Sequence, residues 1–264
     1  MNRLAAAHVT QARLTGDHAG YKHAEGLLRR SLATNATLYN IEARSQLASV
    51  LLSQHRFQEG YEIAEEALAR KQQEPAVLTV ISDVYVESGR LKEAASTLQD
   101  LIRIAPGLAA YSRMADLTRA YGQADEAWVW YARARVAADS FGGEPAAWVR
   151  VMMADLAIKT GQYGRARTYC NEALEIVPDY YLALAYLARA AECEKDYEKA
   201  RPLLRQVVKT TRSPAFMIRL AHEEDALGAP DQAEMLRDMA RVILEVTVAS
   251  GDIGHLRALA LCLM

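Results

Sequence analysis

The residues that could carry out catalysis form short, scattered groups in this sequence. Residues 222–225 read His-Glu-Glu-Asp, and His18 and His23 are the closest pair of histidines. A metal or acid–base centre needs such side chains at a characteristic spacing, but no Gly-rich phosphate loop, HExxH, GxSxG or paired-cysteine pattern accompanies them. We therefore predict a non-enzymatic protein with no metal site and no cofactor, and we interpret residues 222–225 as a solvated helix face.

The cysteines and the amino-terminal residues bear on where the protein works. Cys170, Cys193 and Cys262 are odd in number and have no CxxC spacing, which favours a reducing compartment and buried, inert thiols. Residues 1–17 are too polar for a signal peptide, and no stretch approaches the ~18–20 apolar residues of a membrane span. We predict a cytoplasmic protein without a membrane span.

The charge balance narrows the class of partner. Lys and Arg number 31 against 33 Asp and Glu, so the formal net charge is −2. A nucleic-acid-binding surface normally shows an excess of basic residues, and that excess is missing. We expect no nucleic acid among the partners.

The elements that must position these residues follow from a periodic pattern that is clearest between Pro75 and Pro106. Apolar residues there keep the three- and four-residue spacing of one helical face, and Gly89 stands where a helix would end. A second apolar helical pattern then runs from Leu91 to Ile104. The unit is therefore predicted to be a pair of antiparallel helices, and its pattern recurs about every 34 residues.

The order of large and small residues in this unit carries a resemblance to a known family. Leu78, Ile81, Ser82 and Tyr85 fill large, large, small and large positions of the first helix; Ala94 and Leu98 fill small and large positions of the second; Pro106 closes the unit. This resembles the tetratricopeptide repeat, W-x2-L-G-x2-Y, then A-x3-F, then P. The resemblance implies an all-α fold, a right-handed superhelical solenoid of antiparallel helix-turn-helix repeats.

About seven such repeats and a C-terminal cap helix account for a single domain over residues 1–264. The repeats are predicted at residues 4–40, 41–74, 75–107, 108–146, 147–180, 181–213 and 214–250, with the cap helix at 251–264. Residues 139–145, DSFGGEP, stretch one spacing and are interpreted as an inserted loop, either a joint between two helices or part of a ligand site. Ala94, Ala166 and Ala200 are expected to be almost fully buried, because paired helices approach most closely there.

The resemblance also implies which side chains would meet a partner, because the first helix of each hairpin faces the concave surface in that family. The ninth position of three successive repeats holds Asp83, Asp116 and Asp155. These acids depart from the Lys, Asn and Arg clamp with which family members grip acidic chaperone tails. The expected partner is a protein or peptide segment with basic residues or many backbone amides. The remaining candidate binding residues are Arg113, Arg119, Trp148, Tyr186 and Arg189.

Two functions remain open from the residues alone. The first is a protein-interaction scaffold or adaptor that binds a partner segment in its groove. The alternative is a structural protein that assembles into homo-oligomers through its terminal helices, because residues 252–264 are rich in Leu and would expose an apolar surface if they did not pack on the preceding hairpin. Leu256, Leu259 and Leu263 are the candidate self-association residues.

Overall fold

The fold is all-α. The computed structural model describes residues 1–34, 40–70 and 74–249, and within them the chain forms helices and no strands. The chain divides into two compact units, Met1–Val149 and Arg150–Met264. The helices are α1 (Asn2–Thr15), α2 (Ala19–Thr34), α3 (Ile41–Ser53), α4 (Phe57–Arg70), α5 (Pro75–Glu87), α6 (Leu91–Ile104), α7 (Leu108–Ala120), α8 (Ala124–Asp139), α9 (Gly143–Lys159), α10 (Tyr163–Ile176), α11 (Tyr181–Cys193), α12 (Tyr197–Thr211), α13 (Pro214–Ala226) and α14 (Pro230–Ala249).

The first unit is built from stacked helical hairpins. Helices α1 and α2, α3 and α4, α5 and α6, and α7 and α8 pack as pairs, and α2, α4 and α6 also contact the first helix of the next pair. The first helices touch one another as well, α1 with α3, α3 with α5, and α5 with α7. The side chains of α3, α5 and α7 are therefore neighbours, and they form one continuous surface, which we call the first-helix face.

The second unit repeats this hairpin packing. Helix α11 pairs with α12 and α13 pairs with α14, while α10 contacts α11 and α12 contacts α13. Its core joins small and large residues from four successive helices: Ala188, Ala191, Ala200, Leu204, Met217, Leu220, Ala221, Ala233, Leu236 and Ala240. This is the nearest-neighbour core of a repeat solenoid, in which each hairpin buries the face that it shares with the next.

The turn inside each hairpin needs a left-handed backbone. Gly89 follows α5 with φ +74°, and its amide donates to the Val86 carbonyl. Lys195 takes the same place after α11 with φ 59°, although a side chain in that conformation costs about 1–2 kcal/mol. The turn geometry is thus kept even where the sequence does not supply glycine, because the packing of the two helices determines it.

The close approach of paired helices confirms the predicted register of small residues. Ala94, Ala166 and Ala200 each have 0% of their surface exposed. In the second hairpin the corresponding residue is Gly60, where an added Cβ would lie 3.2 Å from Leu52 Cδ2 and 3.3 Å from the Ala48 carbonyl oxygen. No larger side chain fits at this contact without a shift of the backbone or of its neighbours.

The spacing around DSFGGEP has a different explanation from an inserted loop. Helix α8 continues to Asp139 and α9 begins at Gly143, so only residues 140–142 connect them. The additional residues lengthen the helices: α8 has 16 residues against 14 in the second helix α6, and α9 has 17 against 13 in the first helices α5 and α7. The segment is therefore a short connection between two helices, as the first interpretation held, and it is too short to form a ligand-binding loop.

The predicted cap helix at 251–264, with Leu256, Leu259 and Leu263, lies outside the described residues, so self-association through these residues stays a prediction. Among the helices of residues 1–34, 40–70 and 74–249, none is long and apolar enough to cross a membrane.

The helix contact generates the first testable prediction. Ala166→Leu should lower the free energy of unfolding by about 1–3 kcal/mol, because the added atoms have no free volume between paired helices. The matched control is Ala132→Leu, the same change at an exposed position of α8, which should have little effect. Chemical denaturation followed by circular dichroism measures both; equal stability of the two variants would refute the register.

Candidate partner-binding surface

Two of the three predicted aspartates lie on the first-helix face, and each of them pairs with an arginine. Asp83 of α5 receives two hydrogen bonds from Arg113 of α7, from Nε to Oδ1 at 2.7 Å and from Nη2 to Oδ2 at 2.8 Å. Arg113 Nη1 also donates to the Ala109 carbonyl oxygen at 3.1 Å. About 30% of the Asp83 side chain and 27% of the Arg113 side chain remain exposed. The pair therefore joins neighbouring first helices and still faces solvent.

Asp116 is paired within its own hairpin. Its Oδ1 accepts from Arg119 Nη2 at 3.1 Å, one turn along α7, and from the hydroxyl of Tyr131 of α8 at 2.6 Å. Tyr131 is buried, with 1% of its surface exposed, whereas 36% of the Asp116 side chain is exposed. The buried phenol thus fixes one carboxylate oxygen, and the aspartate presents its other side outward.

The electrostatics of this surface keep Arg113 charged and Tyr131 neutral. Burial lowers the pKa of Arg113, but the charge of Asp83, its hydrogen bonds and the charge of Asp116 outweigh this, so the net shift is upward. Burial and then the charge of Asp116 raise the pKa of Tyr131, which stays protonated as a hydrogen-bond donor. The first-helix face therefore presents alternating negative and positive groups, where the sequence had suggested an acidic groove.

The other predicted residues occupy varied environments. Trp148 is half-buried on the first-unit part of α9. In the second unit, Asp155 has only 8% of its surface exposed, and one of its contacts is the Lys159 ammonium at 2.5 Å. Tyr186 is half-buried and Arg189 is exposed, both on α11. Of the three aspartates, Asp155 is thus the least accessible to a partner.

A pocket beside the first-helix face was not anticipated from the sequence. It has a volume of about 300 Å³ and is lined by Leu52, Phe57, Gln58, Tyr61, Val84, Glu87, Ser88 and Arg90. Asp83 and Glu87 are four residues apart on α5, so the pocket opens near the Asp83–Arg113 pair. The available signal was the aromatic pair Phe57 and Tyr61, one turn apart at the start of α4. This pocket offers an apolar side chain a place next to the charged row.

Only half of residues 222–225 forms the solvated face that the sequence suggested, because His222 and Asp225 are exposed and the two glutamates are not. Glu223 and Glu224 have 1% and 2% of their surface exposed. Glu224 Oε1 accepts from Arg205 Nε at 3.0 Å and Nη2 at 2.7 Å. Burial and then the charge of Glu192 raise the pKa of Glu223, although His222 and Arg219 act in the opposite direction. Helix α13 therefore packs two carboxylates inward, one of them neutralised by an arginine of α12.

Of the two cysteines in the described residues, Cys193 is exposed, contrary to the burial expected from the sequence, and Cys170 is buried as expected. Cys170 is completely buried, and burial raises the pKa of its thiol to about 12, so it stays a protonated, unreactive core residue. Within residues 1–34, 40–70 and 74–249, no cluster of His, Cys, Asp and Glu could hold a metal ion. The arrangement suits binding by hydrogen bonds and ion pairs.

Comparisons with known proteins agree with this architecture. A family model described as tetratricopeptide repeat matches residues 51–117 and 157–216. A structure of the APC/C hetero-tetramer Cut9-Hcn1 is similar at 14% identity with a TM-score of 0.70, covering 97% of this chain and 52% of that one. The chain thus spans about half the length of this relative. No curated protein matches the sequence significantly.

Two further solved structures match over most of both chains. The type IV pilus biogenesis factor PilW is 15% identical with a TM-score of 0.63, covering 86% of this chain and 99% of that one. A tetratricopeptide repeat protein from Parabacteroides merdae is 14% identical with a TM-score of 0.63, covering 99% and 100%. At these identities the likeness concerns the fold.

The stacked hairpins, their left-handed turns and their small-residue contacts define an all-α repeat solenoid. Residues 51–117 and 157–216 match the tetratricopeptide repeat, and the fold of the chain is that of tetratricopeptide repeat proteins. This fold indicates a protein–protein interaction scaffold, and its partners are therefore expected to be proteins.

Glu223 generates the second prediction. Its pKa is raised above the ordinary 4.5, so its contribution to stability is present below pH 4.5 and is lost as the pH rises through the folded-state pKa. Glu223→Gln, which stays neutral, should therefore melt at a higher temperature than the parent at pH 7, and the difference should shrink toward pH 4. Each unit of pKa shift corresponds to about 1.4 kcal/mol.

The matched control is Glu224→Gln on the same helix. This change removes the charge that faces Arg205, so it should lower the melting temperature at pH 7. Melting curves between pH 4 and pH 8 report both variants. A destabilised Glu223→Gln at pH 7 would show that the Glu223 carboxylate is stabilised where it lies.

Proposed function

We propose that the protein is a non-enzymatic scaffold that binds an extended segment of a partner protein along the first-helix face. The observation that carries the proposal is the exposed Asp83–Arg113 pair between α5 and α7. Extended segments offer a partner both N–H and C=O groups. The Asp83 carboxylate can accept a hydrogen bond from a backbone N–H, and the Arg113 guanidinium can donate one to a backbone C=O. The pair can therefore recognise both polar groups of a peptide unit.

Unused hydrogen-bonding capacity supports this role. Arg113 has five N–H donors, and three of its hydrogen bonds go to Asp83 and Ala109, which leaves donors for a ligand. Each Asp83 oxygen accepts one of these bonds and can accept another. Asp116 and Arg119 form a second, one-turn pair on α7. The two pairs form a row that can bind backbone amides and also a basic side chain at an aspartate.

The pocket supplies the selective element. Backbone hydrogen bonds are the same for many sequences, whereas a pocket of about 300 Å³ with Phe57 and Tyr61 in its wall favours a large apolar side chain. A segment that places such a side chain near a basic residue would fill the pocket and pair with an aspartate of the charged row. Trp148 is proposed as an additional apolar contact in the first unit. In the second unit, we propose a separate set of contact residues, Asp155, Tyr186 and Arg189, led by the exposed Arg189.

The location and the assembly state follow as parts of the same proposal. The cysteine pattern favours the cytoplasm, where the thiols of an interaction scaffold stay reduced. Self-assembly through residues 251–264 is the alternative function, and measurement of mass across a range of concentrations separates it from a monomeric scaffold.

The third prediction tests the charged row with peptides selected on the full chain from a displayed random library. Asp83→Asn combined with Asp116→Asn should weaken binding at least tenfold, about 1.4 kcal/mol, and reduce the dependence on salt, because charge is removed while size is kept. Fluorescence anisotropy at two salt concentrations measures both effects. The matched control is Asp100→Asn, since Asp100 forms an equivalent one-turn pair with Arg103 on the second helix α6.

The pocket is tested with the same peptides. Tyr61→Ala should weaken peptides that carry a large apolar residue and spare those whose residue is replaced by alanine. Circular dichroism checks that each variant is folded. If the double aspartate variant and the Asp100→Asn control bind equally well, the first-helix face is a solvated surface and the binding site lies elsewhere.

A further inference from the structure

Helix α14 exposes an apolar row that its environment does not explain. Met235, Met239, Val242 and Val246 are 56%, 47%, 58% and 67% exposed, and Ile243 beside them is 37% exposed. Their spacing places all five on one side of the helix. We call these five residues the outer stripe. A row of this kind in contact with water indicates that another surface covers it.

The centre of the outer stripe is polar in the other repeats. Counted from the first residues 41, 75, 108, 147, 181 and 214 of the repeats, Met239 is at position 26. The same position in the other repeats holds Glu66, Asp100, Arg133, Glu172 and Gln206. The apolar residue at this position is therefore specific to α14, and the repeat pattern does not account for it.

The face of α14 that would stack on another repeat is charged. Arg237 stands at position 24, where the preceding repeats bury Leu98, Tyr131, Cys170 and Leu204, and it pairs with Asp225 of α13 through Nη1 at 2.6 Å. Arg241, four residues on, bonds Asp238 at 2.8 Å. An eighth hairpin in the same register would bury these charges, so the apolar contact of α14 is directed to its outer side.

We propose that the outer stripe between Met239 and Val246 is covered by residues 253–264 of the same chain, folded back on α14 as an antiparallel helix. This segment follows α14 directly after Ser250, Gly251 and Asp252, and a loop of two to five residues suffices for two antiparallel helices. Twelve residues of helix extend about 18 Å, and Met239 and Val246 are about 10.5 Å apart along α14. The segment is therefore long enough to cover this part of the stripe, whereas Met235 lies beyond its reach.

The sequence of the segment matches the stripe in register. A reversal centred on Gly251 pairs Leu256 with Val246, Leu259 with Ile243, and Leu263 with Met239, all of which are apolar. The same register sets Arg257 opposite Glu245, which is exposed on α14. Opposite charges thus flank an apolar seam.

A tethered segment is a better occupant than a second copy. Stable interfaces between proteins use about 20–30 residues from each side, whereas the outer stripe has five. A short connection raises the effective concentration of the segment to the millimolar range, which allows such a small contact to form.

The experiment is peroxide footprinting of methionines in the full chain, because methionine oxidation follows solvent access. Met1 and Met239 are 55% and 47% exposed, so Met1 is the internal reference. If residues 253–264 cover the stripe, Met239 should oxidise at least fivefold more slowly than Met1, as measured by mass spectrometry. Equal rates in the parent chain would overturn the proposal, because an eighth-repeat arrangement or an open stripe leaves Met239 accessible.

The matched variant is Leu256→Asp with Leu259→Asp, which places charges on the covering face and leaves α14 unchanged. Met239 should then oxidise at the Met1 rate, while the buried Met217 stays protected as a sign of intact folding. Protection that persists in this variant, or that disappears on dilution of the parent, overturns the proposal, the second result in favour of a second copy.

A disulfide trap tests the register independently. Met239→Cys and Leu263→Cys are introduced together with Cys193→Ser and Cys262→Ser, and the buried Cys170 can remain. Mild oxidation should give an intramolecular disulfide, seen as a monomer with altered mobility on a non-reducing gel. Glu234→Cys in place of Met239→Cys is the control that should not close. Disulfide-linked dimers, or equal closure in the control, would contradict the antiparallel arrangement.

Discussion

The contact on which the rest of this fold depends is the close approach of the two helices in each hairpin. It is made by a residue with at most one side-chain carbon, six times in succession: Gly60, Ala94, Ala127, Ala166, Ala200 and Ala233. The five alanines are completely buried. Because the helices meet at this point, large residues four positions later, such as Leu98 and Leu204, reach the next hairpin, and the solenoid grows by nearest-neighbour packing. Even the strained turn at Lys195 follows, since the helix pair imposes its geometry.

Since the packing of each hairpin depends on these small residues, other positions of the first helices can carry polar side chains. Both units place an arginine–carboxylate pair between neighbouring first helices. Arg113 is at position 6 of its repeat and binds Asp83 of the preceding first helix; Arg219 is at position 6 of its repeat and binds Glu192 of the preceding first helix at 2.8 Å. Partly exposed pairs contribute only about 0.2–1 kcal/mol each. Their main effect is therefore to hold charged groups in a fixed orientation on the surface, which is an advantage in binding.

The register of the repeats was predictable from sequence because it depends on residues close in the chain. Ala94, Leu98 and Gly89 determine one hairpin almost alone. The partners of the aspartates were less predictable, because the Asp83–Arg113 contact spans 30 residues and depends on how two hairpins stack. The burial of Glu223 was missed for a related reason: a helix face that is solvated in an isolated hairpin becomes interior once α11 and α12 pack against it. The pocket at Tyr61 likewise exists only between two hairpins.

Departures from the repeat pattern are concentrated in α13 and α14, and together they change the direction of packing. Glu224 replaces the large residue that Tyr85 represents at position 11, and Arg205 neutralises it from α12. Arg237 replaces the buried residue at position 24. A charged group at a stacking position opposes the addition of another hairpin, because it would lose water without gaining an equivalent partner. The apolar surface of α14 lies instead on its outer side, where a helix crossing the hairpin from outside the repeat register can meet it.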